Sequence, residues 1–334
     1  MTYIGKKNID LENIEESYDY IIRNLNKKCD TPILNILIIK KVNLDKLFNY
    51  IEKNNIKVNY NKVVKKLIEL DKIELVKKYF NYFWKNNNHL LEFRYIVKKI
   101  GVNLEEVNNY INQNHDLIIE EVSNYSIKTL KAEKLYNFFK ELVNELLKNE
   151  KIDYGNIEFI AEGTSSRVFE IGNKILKVGI PKETFKIRNN KLFLQPLYRK
   201  EIRSIYNNAS LICIEITEKV DTKNITDDDV YYIYKTLRDE GLIWLDHTKD
   251  NVGRLIRDNK IYFDGINYVD KKSTDYTTDN YEILPKGSLV LIDNDCIYNA
   301  KEFFKTTDYR LFEHCSLYEA RYREEKRNEK KSRV

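Results

Sequence analysis

The chain has little of what would tie it to an oxidising compartment, a membrane or a nucleic acid. Its four cysteines, Cys29, Cys213, Cys296 and Cys315, lie far apart in 334 residues, with no Cys-x-x-Cys and no metal-ligand spacing. They read as free thiols of a reducing compartment, which excludes a disulfide framework. The longest apolar stretch, "ILNILII" from Ile33, is far too short to cross a bilayer, and the opening residues hold no apolar signal core. These absences predict a soluble, cytoplasmic protein with no membrane partner. Charge of one sign is scarce as well. Lys and Arg number 57 against 52 Asp and Glu, a net +5, and no dense basic patch is interleaved with aromatics, so nucleic acid is not an expected partner. The basic tail 320–334, "RYREEKRNEKKSRV" from Arg321, also carries acids and reads as a solvated helix end or frayed terminus.

Glycine and proline are rare in the first 150 residues, which contain Gly5, Gly101 and Pro32 and no others of either kind. What is present there is apolar residues at helical spacing. "LDKLFNYIEKNN", "VVKKLIELDKIELVKKYFNYFW" and "LYNFFKELVNELLKNEK" each carry an i, i+3, i+4 stripe with charges opposite. Residues 1–150 are therefore expected to form an all-α domain. "VNLDKLFNYIEKN" from Val42 and "VNLEEVNNYINQN" from Val102 match at a 60-residue offset, as stacked helical repeats would. An irregular bundle satisfies the same pattern.

The texture changes after about Asp153. Short alternating segments appear: "NIEFIAEG", "SRVFEIG", "NKILKVG", "LICIEITEKV", "KIYFDGINYV" and "SLVLIDND". Helical patterns interrupt them at "LYRKEIRSIYNNA" and "DDDVYYIYKTLRDEG". Residues 151–334 are expected to be an α+β domain in two lobes, the first over about 153–220 and the second, helix-led, over about 221–315.

Five features in this half could carry chemistry. In "IAEGTSSRVFEIGNKILKVG" a hairpin turn at Gly163, Thr164, Ser165 and Ser166 would let backbone N–H groups approach phosphate oxygens. Val168 sits where an apolar side chain could cap a purine. Lys177 leaves an otherwise apolar strand, where an unpaired ammonium is costly and an anion should meet it. Glu201, in a helix starting after Pro196, could pair with that lysine. Trp244 and Leu245 deliver Asp246 from packed structure, and Asn251 follows five residues later. His247 and Asp250 are weaker alternatives in the same loop. Finally "SLVLI" runs straight into Asp293, with Asp295 two residues on. Asp246 could accept a hydroxyl proton, while Asn251 and Asp293 offer hard oxygens suited to Mg²⁺. Each feature alone is also an ordinary hairpin, a solvated helix charge or a polar turn.

In this order the five features resemble the protein-kinase-like superfamily. The loop G-x-G-x-x-G-x-V is matched by Ala161-Glu-Gly163-Thr164-Ser165-Ser166-Arg167-Val168, which keeps the middle glycine. The resemblance covers about 155–315. It implies ATP and Mg²⁺ as cofactors, with Lys177 and Glu201 as the lysine–helix pair, Asp246 and Asn251 as the catalytic-loop pair, and Asp293 as the D-F-G aspartate. It departs at H-R-D, which is Trp244-Leu245-Asp246, and at D-F-G, which is Asp293-Asn294-Asp295. No A-P-E follows, and a segment at 258–287 separates the catalytic loop from the last strand. The second lobe should therefore be truncated, as in minimal or atypical kinases of effectors, toxins and viruses. Expected on this resemblance is an atypical Ser/Thr kinase whose protein substrate docks partly on the helical domain 1–150, and which, as an effector, would be delivered into a host cytoplasm; a pseudokinase module and a small-molecule phosphotransferase are its rivals. The run "STDYTTDNY" from Ser273 is a candidate for self-modification.

Overall fold

The computed structural model describes residues 44–53, 58–123, 132–163, 166–180, 191–203, 210–262, 281–293, 296–306 and 316–332. Thr164, Ser165, Cys29, Cys315, Asp295 and residues 273–280 of the run from Ser273 lie outside the described residues. The chain is a mixed α/β protein with a helical N-terminal region and a sheet-containing region, divided into two compact units at Ile160/Ala161.

The first unit is built from amphipathic helices: α1 Leu44–Lys53, α2 Tyr60–Glu69, α3 Ile73–Lys78, α4 Phe80–Lys85, α5 Leu90–Lys98, α6 Glu105–Gln113, α7 His115–Ser123 and the longer α8 Ala132–Glu150. The short helices α1 to α7 are marginal alone. They are held by a core that includes Phe83, Leu91, Phe93, Val97, Ile111, Ile118 and Phe139, all fully buried. Two buried charges act as ties. Glu121 of α7 accepts the N–H groups of Leu91 and Glu92 at 2.9 and 3.0 Å, capping the start of α5 from another helix. Arg94 of α5 donates to Asn108 Oδ1 at 2.9 Å and to the carbonyls of Gly155 and Ile157, fixing the exit of the chain. The two segments that match at the 60-residue offset fall largely on α1 and α6, and Ile51 and Ile111 are buried at equivalent places.

Strands follow: β1 Ile157–Glu162, β2 Ser166–Ile171, β3 Lys174–Gly179, β4 Tyr198–Arg203 and β5 Ser210–Glu218, in the sheet order β1-β2-β3-β5-β4. β2, β3, β5 and β4 pair antiparallel. One face of these strands is apolar and buried, with Phe169, Leu176, Val178, Ile214 and Ile216. The other face carries Val168, Lys177 and Glu215 side by side in register.

One expected element is corrected here. "YRKEIR" does not form a helix after Pro196; it is the edge strand β4. Tyr198, Lys200 and Ile202 lie opposite Ile216, Ile214 and Ile212 of β5, and this alternation outweighs the helical reading. Proline at the entry of an edge strand forfeits no ladder bond.

The rest of the second unit consists of β6 Val220–Asp221, helix α9 Asp227–Asp239, β7 Leu242–Trp244, β8 Val252–Leu255, β9 Asn259–Tyr262, β10 Tyr281–Leu284, β11 Leu289–Leu291, β12 Ile297–Asn299, α10 Ala300–Thr306 and α11 Leu317–Lys331. α9 starts in a reciprocal cap: Thr226 Oγ1 accepts from Asp229 N–H, and Asp229 Oδ2 accepts from Thr226 N–H. Its apolar face (Val230, Ile233, Tyr234, Leu237) packs on Trp244, Val252, Leu291 and Ile297. Of the two readings of the C-terminal run, the solvated helix end is the one seen: α11 extends through Lys331, with residues 321–331 exposed or half-buried, while Glu319 just before the run is completely buried.

β8 lies between β11 and β6, and Gly253 is the residue that permits it. A Cβ there would enter the side chain of Val220 well inside van der Waals contact and meet Ile292 Cδ1 at 3.2 Å. Gly253→Ala should therefore destabilise the second unit by about 1–3 kcal/mol in denaturant titration. Val220→Ala in the same chain should recover much of the loss. Equal stabilities of Gly253→Ala and wild type would contradict this packing.

Candidate functional site

Lys177 projects from the middle of β3 on the polar face, opposite Val168 of β2 and Glu215 of β5. Its ammonium meets Asp293 Oδ2 at 3.5 Å, with the two side chains 29% and 27% exposed. The anion expected beside this lysine is thus the strand-end carboxylate. Asp293 stands two residues beyond β11, which is covered on one side by β8 and on the other by the segment at Phe193, a parallel bridge to Leu291. Asp293 is therefore carried to the site by a strand held on both edges.

The same β8–β11 pairing brings in Asn251. Leu291 lies opposite Val252, and Ile292 N–H donates to Asn251 O at 2.8 Å. Asn251 Nδ2 donates in turn to both the backbone O and the Oδ2 of Asp246, each at 2.9 Å. Asp246 is exposed, at the exit of β7, whose Trp244 is fully buried. The loop between them makes two successive tight turns, the second a 3-10 turn over Lys249–Asn251: Thr248 N–H bonds to Asp246 O and Asn251 N–H to Thr248 O. Four of the sequence candidates, Lys177, Asp246, Asn251 and Asp293, are thereby linked through two β-strand ends and one ion pair.

The remaining candidates divide. Gly163 turns the chain into β2, with its N–H on Ser166 O at 2.8 Å, and Ala161 lies just before it on β1. Ser166 and Val168 share the strand face of Lys177, whereas Arg167 alternates to the opposite face with Phe169 and is 4% exposed. Thr164 and Ser165 lie outside the described residues. Glu201 is on the polar face but two strands from Lys177, in register with Cys213. It is bonded by Arg199 Nη2 at 3.0 Å, and the other end of that guanidinium holds Glu215 Oε1 at 2.5 Å. Arg199 and Glu215 were missed by the sequence reading. Glu215 had a signal, because alternation in "ICIEITE" puts it on the face opposite three isoleucines. Arg199 had none once its segment was read as a helix. Among these charges burial, reinforced by Glu215, pushes the Cys213 thiol up to about 12.

His247 and Asp250 have different surroundings. Asp250 is exposed. The His247 ring is packed edge-on against Tyr234, Trp244 and Tyr318 and lies 3.3 Å from Ser316 Oγ. Burial lowers its pKa, so it serves as a neutral packing group.

Among the described residues no group of three or more His, Cys, Asp and Glu side chains gathers in a metal-binding cluster. A cation at Asp293 and Asn251 would have to complete its shell with oxygens of a ligand and water, which is how Mg²⁺ binds beside phosphates. Comparison with family models, curated proteins and solved structures finds no match to this chain. No helix of the described residues is long and apolar enough to cross a membrane.

The His247 environment gives a pH dependence with a definite sign. The folded ring has the lower pKa, so between that value and about 6.5 the unfolded chain binds more protons and stability rises with pH. Stability is therefore lost as pH falls below about 6.5 and levels off once the folded ring also titrates. Melting of wild type and His247→Gln, compared at about pH 7.5 and about pH 5.5, should show the larger acid loss in wild type. Parallel losses would contradict the assignment.

Proposed function

We propose that the second unit is an ATP- and Mg²⁺-dependent phosphotransferase, with a two-lobed kinase-like fold and a protein Ser or Thr hydroxyl as acceptor. The observation that carries the reading is the Lys177–Asp293 pair at 3.5 Å, joined through the β8–β11 pairing to Asn251 and Asp246. A cation for phosphate oxygens, two hard-oxygen donors and an exposed, oriented carboxylate are what phosphoryl transfer requires of a protein.

The Lys177–Asp293 pair is long and partly exposed, a class worth roughly 0.2–1 kcal/mol. An incoming nucleotide can exchange it readily. Lys177 then binds the α- and β-phosphate oxygens, with Val168 beside it against the base and the turn at Gly163 covering the phosphates. Asp293 and Asn251 are the residues that would hold Mg²⁺, which when bound neutralises charge on the phosphate oxygens. Asp246 orients the acceptor hydroxyl and takes its proton as the new O–P bond forms and the bond to ADP breaks. Asn251, donating to Asp246 Oδ2, keeps that carboxylate aimed. The helical first unit is the docking platform for the protein acceptor in this proposal.

A second reading, a nucleotide-binding interaction module without turnover, is favoured by one observation. Glu201, the expected helix partner of Lys177, lies on β4 and is bound by Arg199. The two readings part in a single set of assays on the full chain with ATP and Mg²⁺. In the phosphotransferase, wild type releases ADP, Asp246→Ala loses about 10²–10⁴-fold in rate yet keeps the thermal stabilisation by nucleotide, and Lys177→Ala loses both. Stabilisation of wild type without turnover selects the module. Equal ADP release from wild type, Lys177→Ala and Asp246→Ala would overturn the site altogether.

A further inference from the structure

We propose that helix α11 is the element that positions the loop Leu245–Asn251, with Ser316 and Glu319 as its positioning residues. The proposal rests on the reading above only in giving that loop a catalytic role. The loop is fixed on its strand side by Leu245 N–H bonding to Cys296 O at 2.9 Å. On its other side the residue after Asp246 is His247, and that ring is lodged against Tyr234 of α9 and Tyr318 of α11, with centroids at 5.6 and 4.9 Å. Ser316 closes the contact. It is 4% exposed, its hydroxyl accepts the N–H of Glu319 at the start of α11, and it lies 3.3 Å from His247 Nε2. One hydroxyl therefore joins the helix cap to the loop.

Glu319 explains why α11 stays there. Its carboxylate is fully buried, which demands that every oxygen be met. Oε2 accepts from Tyr234 OH at 2.6 Å and Arg238 Nε at 2.8 Å; Oε1 accepts from Arg238 Nη2 at 3.2 Å and Arg323 Nε at 2.8 Å. Tyr234 and Arg238 are one turn apart on α9, so the node locks α11 onto the helix whose other residues pack behind Trp244. Surface pairs run along the same contact, Arg321 with Asp228 at 2.8 Å and Lys235 with Glu325 at 2.6 Å. These exposed pairs contribute little by themselves, whereas the buried node and the Ser316 hydroxyl reach the loop.

The test uses the full chain with Ser316→Ala, Ser316→Thr and Glu319→Gln. Hydrogen exchange of the Leu245, Thr248 and Asn251 amides should be about 3- to 10-fold faster in Ser316→Ala, as for loss of one hydrogen bond. Amides in the middle of α9 should keep their wild-type rates, and Ser316→Thr should restore the loop. With ATP and Mg²⁺, Ser316→Ala should lower kcat about tenfold or more while KM for ATP is unchanged, the signature of a misaimed group. Glu319→Gln serves as the second variant if Ser316→Ala does not fold, and should loosen the same three amides. Unchanged loop exchange in a folded Ser316→Ala or Glu319→Gln whose α11 amides are deprotected would overturn the positioning role. Absence of ATP turnover in wild type would instead remove the catalytic reading of the loop, and the exchange result would still decide the coupling.

Discussion

The backbone hydrogen bond from Ile292 N–H to the carbonyl of Asn251 determines which side chains can share the site. It continues the antiparallel pairing of β8 with β11, in which Leu291 faces Val252. Because side chains alternate strictly along a strand, a slip of one residue would send the residues of both strands to the wrong faces. The pairing is protected against such a slip from several directions. Gly253 admits Val220 to close contact, the segment at Phe193 covers the far edge of β11, and Val252 and Leu291 are sealed into the core with Trp244. Asn251 and Asp293 therefore emerge together from a rigid pair of strands, which gives them a fixed separation before any ligand arrives.

On the opposite sheet the polar face of β3, β5 and β4 carries a chain of charges rather than one isolated lysine. Arg199 occupies Glu201 and Glu215, and Lys177 is left to Asp293. This division has a consequence for the proposed reaction. Glu215 is the carboxylate directly across the ladder from Lys177, so it is the residue best situated to steady the ammonium once Asp293 turns to a cation. The expected partner Glu201 is farther along the face and already engaged. The fully buried Glu319, by contrast, belongs to the scaffold behind the loop, where four donors fix it and no ligand need displace it.

Much of this was legible in the sequence where local periodicity and tertiary packing agree. "KILKVG" and "SLVLID" alternate or run apolar as strands do, and they deliver Lys177 and Asp293 from buried structure. "LIWLDHTKDN" was readable because two apolar residues immediately precede Asp246. "YRKEIR" was not, because its apolar residues fit either period and the choice is made by Ile212, Ile214 and Ile216 on a strand it meets only in the fold. The C-terminal run was legible as a solvated helix end, and residues 321–331 are the exposed or half-buried end of α11. What local pattern could not show is Glu319 just before it, whose buried place is made by Tyr234 and Arg238 some eighty residues earlier. Arg199 and Ser316 depend on such long-range partners too.

The central claim is that one nucleotide–metal site lies between the Lys177 ammonium and the Asp293–Asn251 pair. Crystals grown with a non-hydrolysable ATP analogue and Mn²⁺ test it most directly through the anomalous signal of the metal. The account predicts a manganese peak coordinated by Asp293 and Asn251 side-chain oxygens, phosphate oxygens on Lys177 Nζ, and the 3.5 Å Lys177–Asp293 contact opened. A nucleotide bound elsewhere on the chain, or a metal peak remote from both Asp293 and Asn251, would contradict it.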